Sequence, residues 1–150
     1  MTEAGSSWVI AAPAFVLLAV CVYTDLRERR IYDKITIPGM LLFLAVHAVA
    51  GSFAQSAAGL LALGAAAYVL AVVSRGRIGG GDIKLYAMIG AAFGWELGAV
   101  IFALTSLVSA LWAVPLLIVR AIRPLPAALQ EVPLAPFAAA SAGAAVWLGF

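Results

Sequence analysis

The sequence predicts an all-α integral membrane protein, a bundle of about six transmembrane helices. The chain has 150 residues, of which 65% are hydrophobic and 11% are charged. A soluble domain is usually about half apolar and about a quarter charged. The mean hydropathy is +1.11, and the polar residues stand in short stretches between long apolar runs. The length corresponds to a single transmembrane domain, residues 1–150.

Six apolar segments follow one another along the chain, and each is a candidate membrane helix. They cover residues 8–24, 35–53, 57–73, 83–93, 99–119 and 132–150. The first is near the lower limit of about 17 residues for crossing the hydrocarbon core. A single helix over residues 83–119 would be too long for one crossing, and Gly94, Glu96 and Gly98 indicate a break within it. No basic residue precedes the first segment, so we expect a permanent span rather than a cleaved signal peptide.

The basic residues predict the orientation of this bundle. If all six segments cross and the N-terminus lies outside, the nine Lys and Arg residues fall on one side of the membrane: Arg27, Arg29, Arg30, Lys34, Arg75, Arg77, Lys84, Arg120 and Arg123. The positive-inside rule assigns that side to the cytoplasm. Both termini are therefore expected outside, and the basic loops are expected to contact lipid headgroups.

Two aspartates stand at the cytoplasmic edge in this arrangement. Asp25 closes the first segment, and Asp82 opens the fourth directly after Gly79, Gly80 and Gly81. Their matching depth allows helix packing to bring them together, and two close carboxylates share a proton. The ionised member can then take a proton from a water that attacks a peptide carbonyl, which the protonated member polarises. The pattern predicts an aspartyl protease site.

These residues also have ordinary structural interpretations. Acids at the ends of spans are often solvated interface residues, and glycines form ordinary turns. Glu28 and Asp33 are most simply loop charges, although either is an alternative to Asp25 as the second acid. Lys84 is most simply a topology signal. His47, inside an apolar segment, is more typical of a packed or hydrogen-bonded core residue than of a ligand.

The inventory of reactive side chains argues against other chemistries. Cys21 is the single cysteine and His47 the single histidine, so neither a zinc site nor a disulfide within the chain is expected. The same shortage gives little support to serine- or cysteine-based hydrolysis. We expect no cofactor, no metal and no nucleic-acid partner.

Three motifs resemble those of the type IV prepilin peptidases, which are GxGD membrane aspartyl proteases. Residues 79–84, Gly-Gly-Gly-Asp-Ile-Lys, match the family's G-x-G-D-x-K signature. Residues 25–31 resemble its other motif, an Asp followed by a basic stretch and an Ile. Residues 132–136, Val-Pro-Leu-Ala-Pro, resemble its late Pro-x-x-Pro element. The motifs occur in the family's order, and the resemblance covers nearly the whole chain.

The resemblance implies a leader peptidase of bacterial or archaeal cytoplasmic membranes. Such enzymes remove a short basic leader from prepilins and pseudopilins, on the cytoplasmic side and just before the substrate's apolar helix. Asp25 and Asp82 correspond to the catalytic pair. The remaining motif residues are expected to shape the site or contact the substrate: Gly79, Gly80, Gly81, Lys84, Pro133 and Pro136.

The chain also departs from the family pattern. Tyr32 and Asp33 stand where the family usually has Pro-Asn, and Ala135 stands where Gly is common. Longer family members carry an additional N-terminal region, often with paired cysteines, that is associated with N-methylation. This chain resembles the short forms that often serve tight-adherence pili, so we expect cleavage without methylation.

Three other functions are consistent with parts of the pattern. A small transporter would need acids at mid-membrane depth, whereas here every acid lies at the end of a predicted span. A non-catalytic assembly subunit of a pilus or secretion system would not require the acids. A related GxGD protease that cuts other transmembrane segments would be expected to have a Tyr-Asp pair within a span. The sequence gives no indication of the oligomeric state.

Overall fold

The structure, a computed structural model, describes residues 3–28, 31–74, 79–122 and 134–148. Within these ranges the chain forms five helices: α1 (Glu3–Glu28), α2 (Asp33–Val49), α3 (Phe53–Val73), α4 (Gly80–Ile122) and α5 (Ala135–Trp147). The described residues contain no strand. The predicted all-α class is confirmed.

Three of the described helices contain stretches long and apolar enough to cross a membrane: Ile10–Glu28, Phe53–Val73 and Gly80–Trp112. Apolar runs fold as helices in lipid because every backbone polar group must bond within the chain. The outer surface carries many exposed apolar side chains, including Val16, Leu61 and Val73. Such a surface is suited to contact with lipid, and the fold is that of a helical membrane protein.

Several helix boundaries differ from the sequence prediction, and those of α1 and α5 bear on the candidate site. Helix α1 continues to Glu28, because Leu, Arg and Glu favour a further helical turn. Asp25 therefore lies inside the last turn of α1 rather than after its end. Helix α5 covers only Ala135–Trp147 of the predicted segment, and Val132 and Pro133 lie outside the described residues.

Helix α4 is folded back on itself at Gly94. This residue has φ 75° and ψ −176°, a conformation that residues with a Cβ rarely adopt. The Tyr86 and Phe102 ring centroids lie 4.7 Å apart, whereas residues 16 apart in an unbroken helix are separated by about 24 Å. A Cβ on Gly98 would lie 3.5 Å from Cα of Gly90. Residues 80–93 and 95–122 are therefore two arms of a hairpin, and the predicted break is confirmed.

Glycines bring α3 against this hairpin. Gly59 of α3 and Gly90 of the first arm face each other so closely that a Cβ on either would overlap the other's backbone carbonyl. A Cβ on Gly98 of the second arm would lie 3.0 Å from Leu63. Small residues are common where membrane helices approach this closely. The glycines of the apolar segments thus serve packing.

Side chains from α2 and α3 bind carbonyls that the fold at Gly94 exposes. The usual helical donors to the carbonyls of Ala91 and Ala92 would come from beyond Gly94, so these carbonyls need other partners. Ser56 donates to the Ala91 carbonyl at 2.6 Å. His47 Nε2 lies 3.1 Å from the Ala92 carbonyl. The interpretation of His47 as a hydrogen-bonded core residue is confirmed.

The bundle has two ends of different character. The acid end contains the end of α1, the start of α2 and the first turns of α4 and α5. The turn end contains the α2–α3 turn and the fold at Gly94. Between them lies the core, whose largest buried apolar side chains are Phe43, Leu18, Leu85, Met88, Ile89 and Ile101.

Candidate active site

Asp25 is a buried acid held by the start of another helix. Only 8% of Asp25 is exposed. Its Oδ2 accepts a hydrogen bond from the backbone N–H of Ala135 at 3.0 Å. Ala135 is the first residue of α5, and the N-terminus of a helix favours a nearby negative charge. The start of α5 therefore holds the Asp25 carboxyl group in place through a backbone hydrogen bond.

Asp82 lies in the first turn of α4 and is half-buried. Its Oδ2 accepts a hydrogen bond from the Gly79 N–H at 3.3 Å. Its own N–H donates to the Gly79 carbonyl at 3.1 Å. This reciprocal pair starts the helix and fixes the carboxyl group beside the glycine run. Asp82 therefore depends on the local backbone for its position.

The two acids lie close enough to interact electrostatically. They are 57 positions apart in the sequence, and the packing of α1, α4 and α5 brings their side chains to the same end of the bundle. Each accepts a backbone N–H at the start of a helix. The structure therefore brings together the two acids that the sequence singled out.

The three glycines before Asp82 have different surroundings. A Cβ on Gly81 would lie 3.0 Å from Cβ of Ile31, so this glycine allows a close approach to the chain that follows α1. A Cβ on Gly80 would have no described atom within 4 Å, and a Cβ on Gly79 would meet the Asp82 carboxylate at 3.7 Å. Gly81 thus serves packing, whereas Gly79 and Gly80 leave the approach to Asp82 open.

Lys84 forms an ion pair with Asp33. The Nζ–Oδ2 distance is 2.6 Å, and the side chains are 40% and 55% exposed respectively. Asp33 is the first residue of α2. The sequence alone left Asp33 as an alternative second acid, but its carboxylate is bound to a cation in the structure. Glu28, the other alternative, is exposed and accepts a hydrogen bond from the Tyr32 hydroxyl.

The late proline motif lies partly within the described structure. Pro136 occupies the first turn of α5, where a proline suits a helix start because its missing N–H needs no partner. It follows Ala135, whose N–H binds Asp25. Pro133, the other predicted site-shaping proline, lies outside the described residues. Pro136 therefore lies in the first turn of the helix that supports Asp25.

The comparisons with known proteins decide the family. Residues 12–114 match the profile described as the type IV leader peptidase family. The chain belongs to this family. The matched range contains Asp25, Asp82 and Lys84, so the candidate acid pair lies within the part of the chain that defines membership.

A curated relative of this leader peptidase family supports the assignment. The chain is 35% identical over 129 residues to a protein named "Prepilin leader peptidase/N-methyltransferase" from Bacillus subtilis (strain 168). The similarity covers 83% of this chain and 49% of the relative, so the chain spans about half of that protein's length. No solved structure matches the chain significantly.

The sequence did not indicate that Tyr86 lies at the candidate site. This buried residue stands one turn beyond Asp82 in α4. Tyr86 is 3% exposed. Its hydroxyl lies near the side chains of Thr105 and Ser106 on the second arm of α4 and near Asp82. A Tyr in an apolar helix has the pattern of a core residue. Its spacing of four residues from Asp82 was the available signal.

The potential metal ligands of the described residues are scattered. The described residues contain no group of three or more His, Cys, Asp or Glu side chains arranged to hold a metal ion. Cys21 is buried, apart from any such group. The expectation that the protein works without a metal or cofactor stays a prediction.

Proposed function

We propose that this chain is a membrane aspartyl endopeptidase that removes the basic leader from type IV prepilins or pseudopilins. The observation that carries the proposal is the meeting of Asp25 and Asp82 at one end of the bundle, in a chain of the leader peptidase family. Two acids so placed suit the hydrolysis of a peptide bond, because one can act as base while the other acts as acid.

In the proposed reaction Asp25 is the base and Asp82 the acid. Asp25 is assigned as the base because the Ala135 N–H and the start of α5 place partial positive charge beside its carboxyl group. Asp82 is then assigned as the acid, because two neighbouring carboxyl groups share a proton. Asp25 takes a proton from water, and the water oxygen attacks the scissile carbonyl while Asp82 protonates the carbonyl oxygen. Asp25 then passes its proton to the nitrogen as the C–N bond breaks. The leaving leader carries a new carboxyl group, and Asp82 regains its proton.

The leader junction is proposed to reach Asp82 past the open glycines. Gly80 has no atom within 4 Å of the place where a Cβ would stand, so an extended peptide has room to approach the backbone there. The apolar substrate helix would lie in the bilayer, beside the exposed apolar surface of the bundle. Its junction with the leader would then meet the acids at the acid end.

The basic leader is proposed to interact with Glu28 and with anionic lipid headgroups. The carboxylate of Asp33 is already paired with Lys84, so its charge is largely compensated. Within the described residues, the hydrogen bond to Glu28 comes from the neutral Tyr32 hydroxyl rather than from a cation. The interaction is solvent-exposed, so its contribution to binding is expected to be small.

The topology proposed for the enzyme has six crossings. The two arms of α4 count as one each, because the chain reverses at Gly94. With both termini outside, the acid end and all nine basic residues lie on the cytoplasmic side of a bacterial or archaeal membrane. A cysteine placed beside Lys34 and another beside Gly51, labelled from either side of intact cells, tests this orientation. Labelling of both cysteines from the same side would contradict it.

Co-expression with a candidate prepilin tests the proposed activity. Mass spectrometry of the prepilin is compared for the wild type, Asp25→Asn and Asp82→Asn, with immunoblotting to show that each protein reaches the membrane. The wild type is expected to remove the leader and both variants to fail. Cleavage by both variants at the wild-type level would contradict the role of the acids. If the chain serves only in pilus assembly, both variants would support assembly as well as the wild type does.

The same spectra test the expectation of cleavage without methylation. A new N-terminus of unmodified mass supports it, and an added methyl group that depends on this chain contradicts it. The comparison is informative because the relative from Bacillus subtilis is named for both activities.

A further inference from the structure

The Asp33–Lys84 ion pair connects the two segments that carry the acids. Lys84 stands two residues after Asp82 in the first turns of α4. Asp33 begins α2, shortly after the turn of α1 that contains Asp25. The 2.6 Å contact between Nζ and Oδ2 therefore bridges residues 51 positions apart in the sequence.

A second contact acts on the same two segments. Gly81 approaches Ile31 so closely that a Cβ on Gly81 would lie 3.0 Å from Cβ of Ile31 and 3.4 Å from its carbonyl oxygen. The ion pair and this backbone approach lie on either side of Asp82. Together they fix residues 31–33 against the first turn of α4.

The pair contributes little to stability, so its effect on geometry is the more important one. Both side chains are largely accessible to water, and exposed ion pairs are screened. Catalysis is far more sensitive, because a displacement of about 1 Å at a reacting group reduces rates by about 100-fold. Asp33 also suits its place, since a negative charge at the start of a helix is favourable.

We propose that Asp33 and Lys84 are positioning residues that hold Asp82 at its working distance from Asp25. The inference rests on the proposed peptidase function and deepens it. An Asn side-chain oxygen at position 33 would also accept a hydrogen bond from an ammonium group. The essential feature is thus an acceptor for Lys84 at the start of α2.

Cleavage kinetics of the full chain in detergent or vesicles test this assignment. The variants are Lys84→Ala, Asp33→Ala, the double variant and Asp33→Asn. The matched control is Lys34→Ala, which removes an exposed positive charge beside Asp33. Each single alanine variant is expected to lower kcat by about 10- to 100-fold with little change in KM. The double variant is expected to match the singles, because both lose the same contact.

Rescue and control variants distinguish positioning from other roles. Asp33→Asn is expected to retain most of the wild-type kcat, and Lys34→Ala all of it. A rise in KM without a change in kcat would overturn the proposal, since Lys84 would then bind substrate. If the fold losses of kcat in the two single variants multiply in the double variant, the proposal is also overturned. Unchanged kinetics in both single variants would overturn it as well.

A crosslinking measurement tests the inference without relying on cleavage. Cysteines replace Asp25 and Asp82 in a Cys21→Ser background, and a short thiol-specific reagent joins them. Lys84→Ala is expected to reduce the crosslinked fraction, while Lys34→Ala leaves it unchanged. Equal crosslinking with and without Lys84 would overturn the proposal. If the wild type cuts no prepilin, the proposed function fails and this measurement alone decides the positioning role.

Discussion

The two ends of the bundle use polar groups in different ways. At the turn end, His47 and Ser56 bind the carbonyls of Ala91 and Ala92, so side chains complete the bonding of a folded helix. At the acid end the backbone supports the side chains, since the N–H groups of helix starts bind the carboxylates. The first arrangement stabilises a fold, and the second prepares charged groups for chemistry.

The glycines show the same difference. Gly59 and Gly90 leave no space for a methyl group where α3 crosses the hairpin, whereas a Cβ on Gly80 would have no described atom within 4 Å. One residue type therefore permits close helix packing in the apolar part of the chain and an open approach to the acid end. Substitutions separate these two uses, because alanine is excluded sterically at one place and not at the other.

The largest loss of stability is expected from Gly90→Ala. The added methyl group would overlap the Gly59 carbonyl, and overpacking of this kind costs about 1–3 kcal/mol or more. The variant is expected to accumulate poorly and to unfold at a lower temperature. Gly143→Ala in α5 is the control, because nothing lies within 4 Å of its added Cβ. Similar thermal unfolding of the two variants would remove the distinction between the glycines.

Substitutions within the glycine run are expected to have a smaller effect on stability and a clear effect on activity. Gly81→Ala pushes against Ile31 and should lower kcat by about 10- to 100-fold through displacement of Asp82. The Cβ added by Gly80→Ala has no described atom within 4 Å, so this variant should instead raise KM by narrowing the peptide's approach. Cleavage assays over a range of substrate concentrations separate kcat from KM. Identical kinetic changes in the two variants would contradict the separate roles.

A moderate loss of stability is expected from His47→Ala. The substitution leaves the Ala92 carbonyl without its side-chain donor and Ser52 without its ring partner, and an unsatisfied buried group costs about 1–3 kcal/mol. Thermal unfolding in detergent measures the loss. The folded fraction should cleave at the wild-type rate, because His47 lies at the turn end. A lower kcat for fully folded His47→Ala protein would contradict this expectation, because it would show that the turn end affects the acids.

The smallest effect is expected from Glu28→Gln. Removal of this exposed charge should raise KM for a basic leader by about 2- to 5-fold, the usual range for an exposed ion pair, and should leave kcat unchanged. Added salt should likewise raise the KM of the wild type, and it should raise the KM of the variant by less. A prepilin whose leader lysines are replaced by glutamine is the matched substrate control. A KM that is unchanged for both leaders would exclude Glu28 from leader binding.

Sequence reasoning located the parts that depend on local pattern. The break at Gly94 followed from polar and glycine residues between two apolar runs. The acids followed from their places at the ends of such runs. These features are expressed over a few neighbouring residues, so one chain is enough to detect them.

The contacts that support the site could not be predicted from the sequence in this way. The bond from Ala135 to Asp25 uses a backbone N–H, which every residue except proline has, so the sequence contains no mark of it. The Asp33–Lys84 pair and the Gly59–Gly90 crossing join residues far apart in the chain. Their charges and glycines were visible, but their pairing depends on how the helices pack.

The most direct test of the central claim is the cleavage rate of purified protein with one prepilin, measured for Asp25→Asn, Asp82→Asn and the double variant. If the two acids act as one unit, each amide variant loses at least about a thousandfold, and the double variant is no slower than either single variant. All three should unfold at temperatures close to that of the wild type. A single variant that keeps most of the wild-type rate would contradict the paired-acid account.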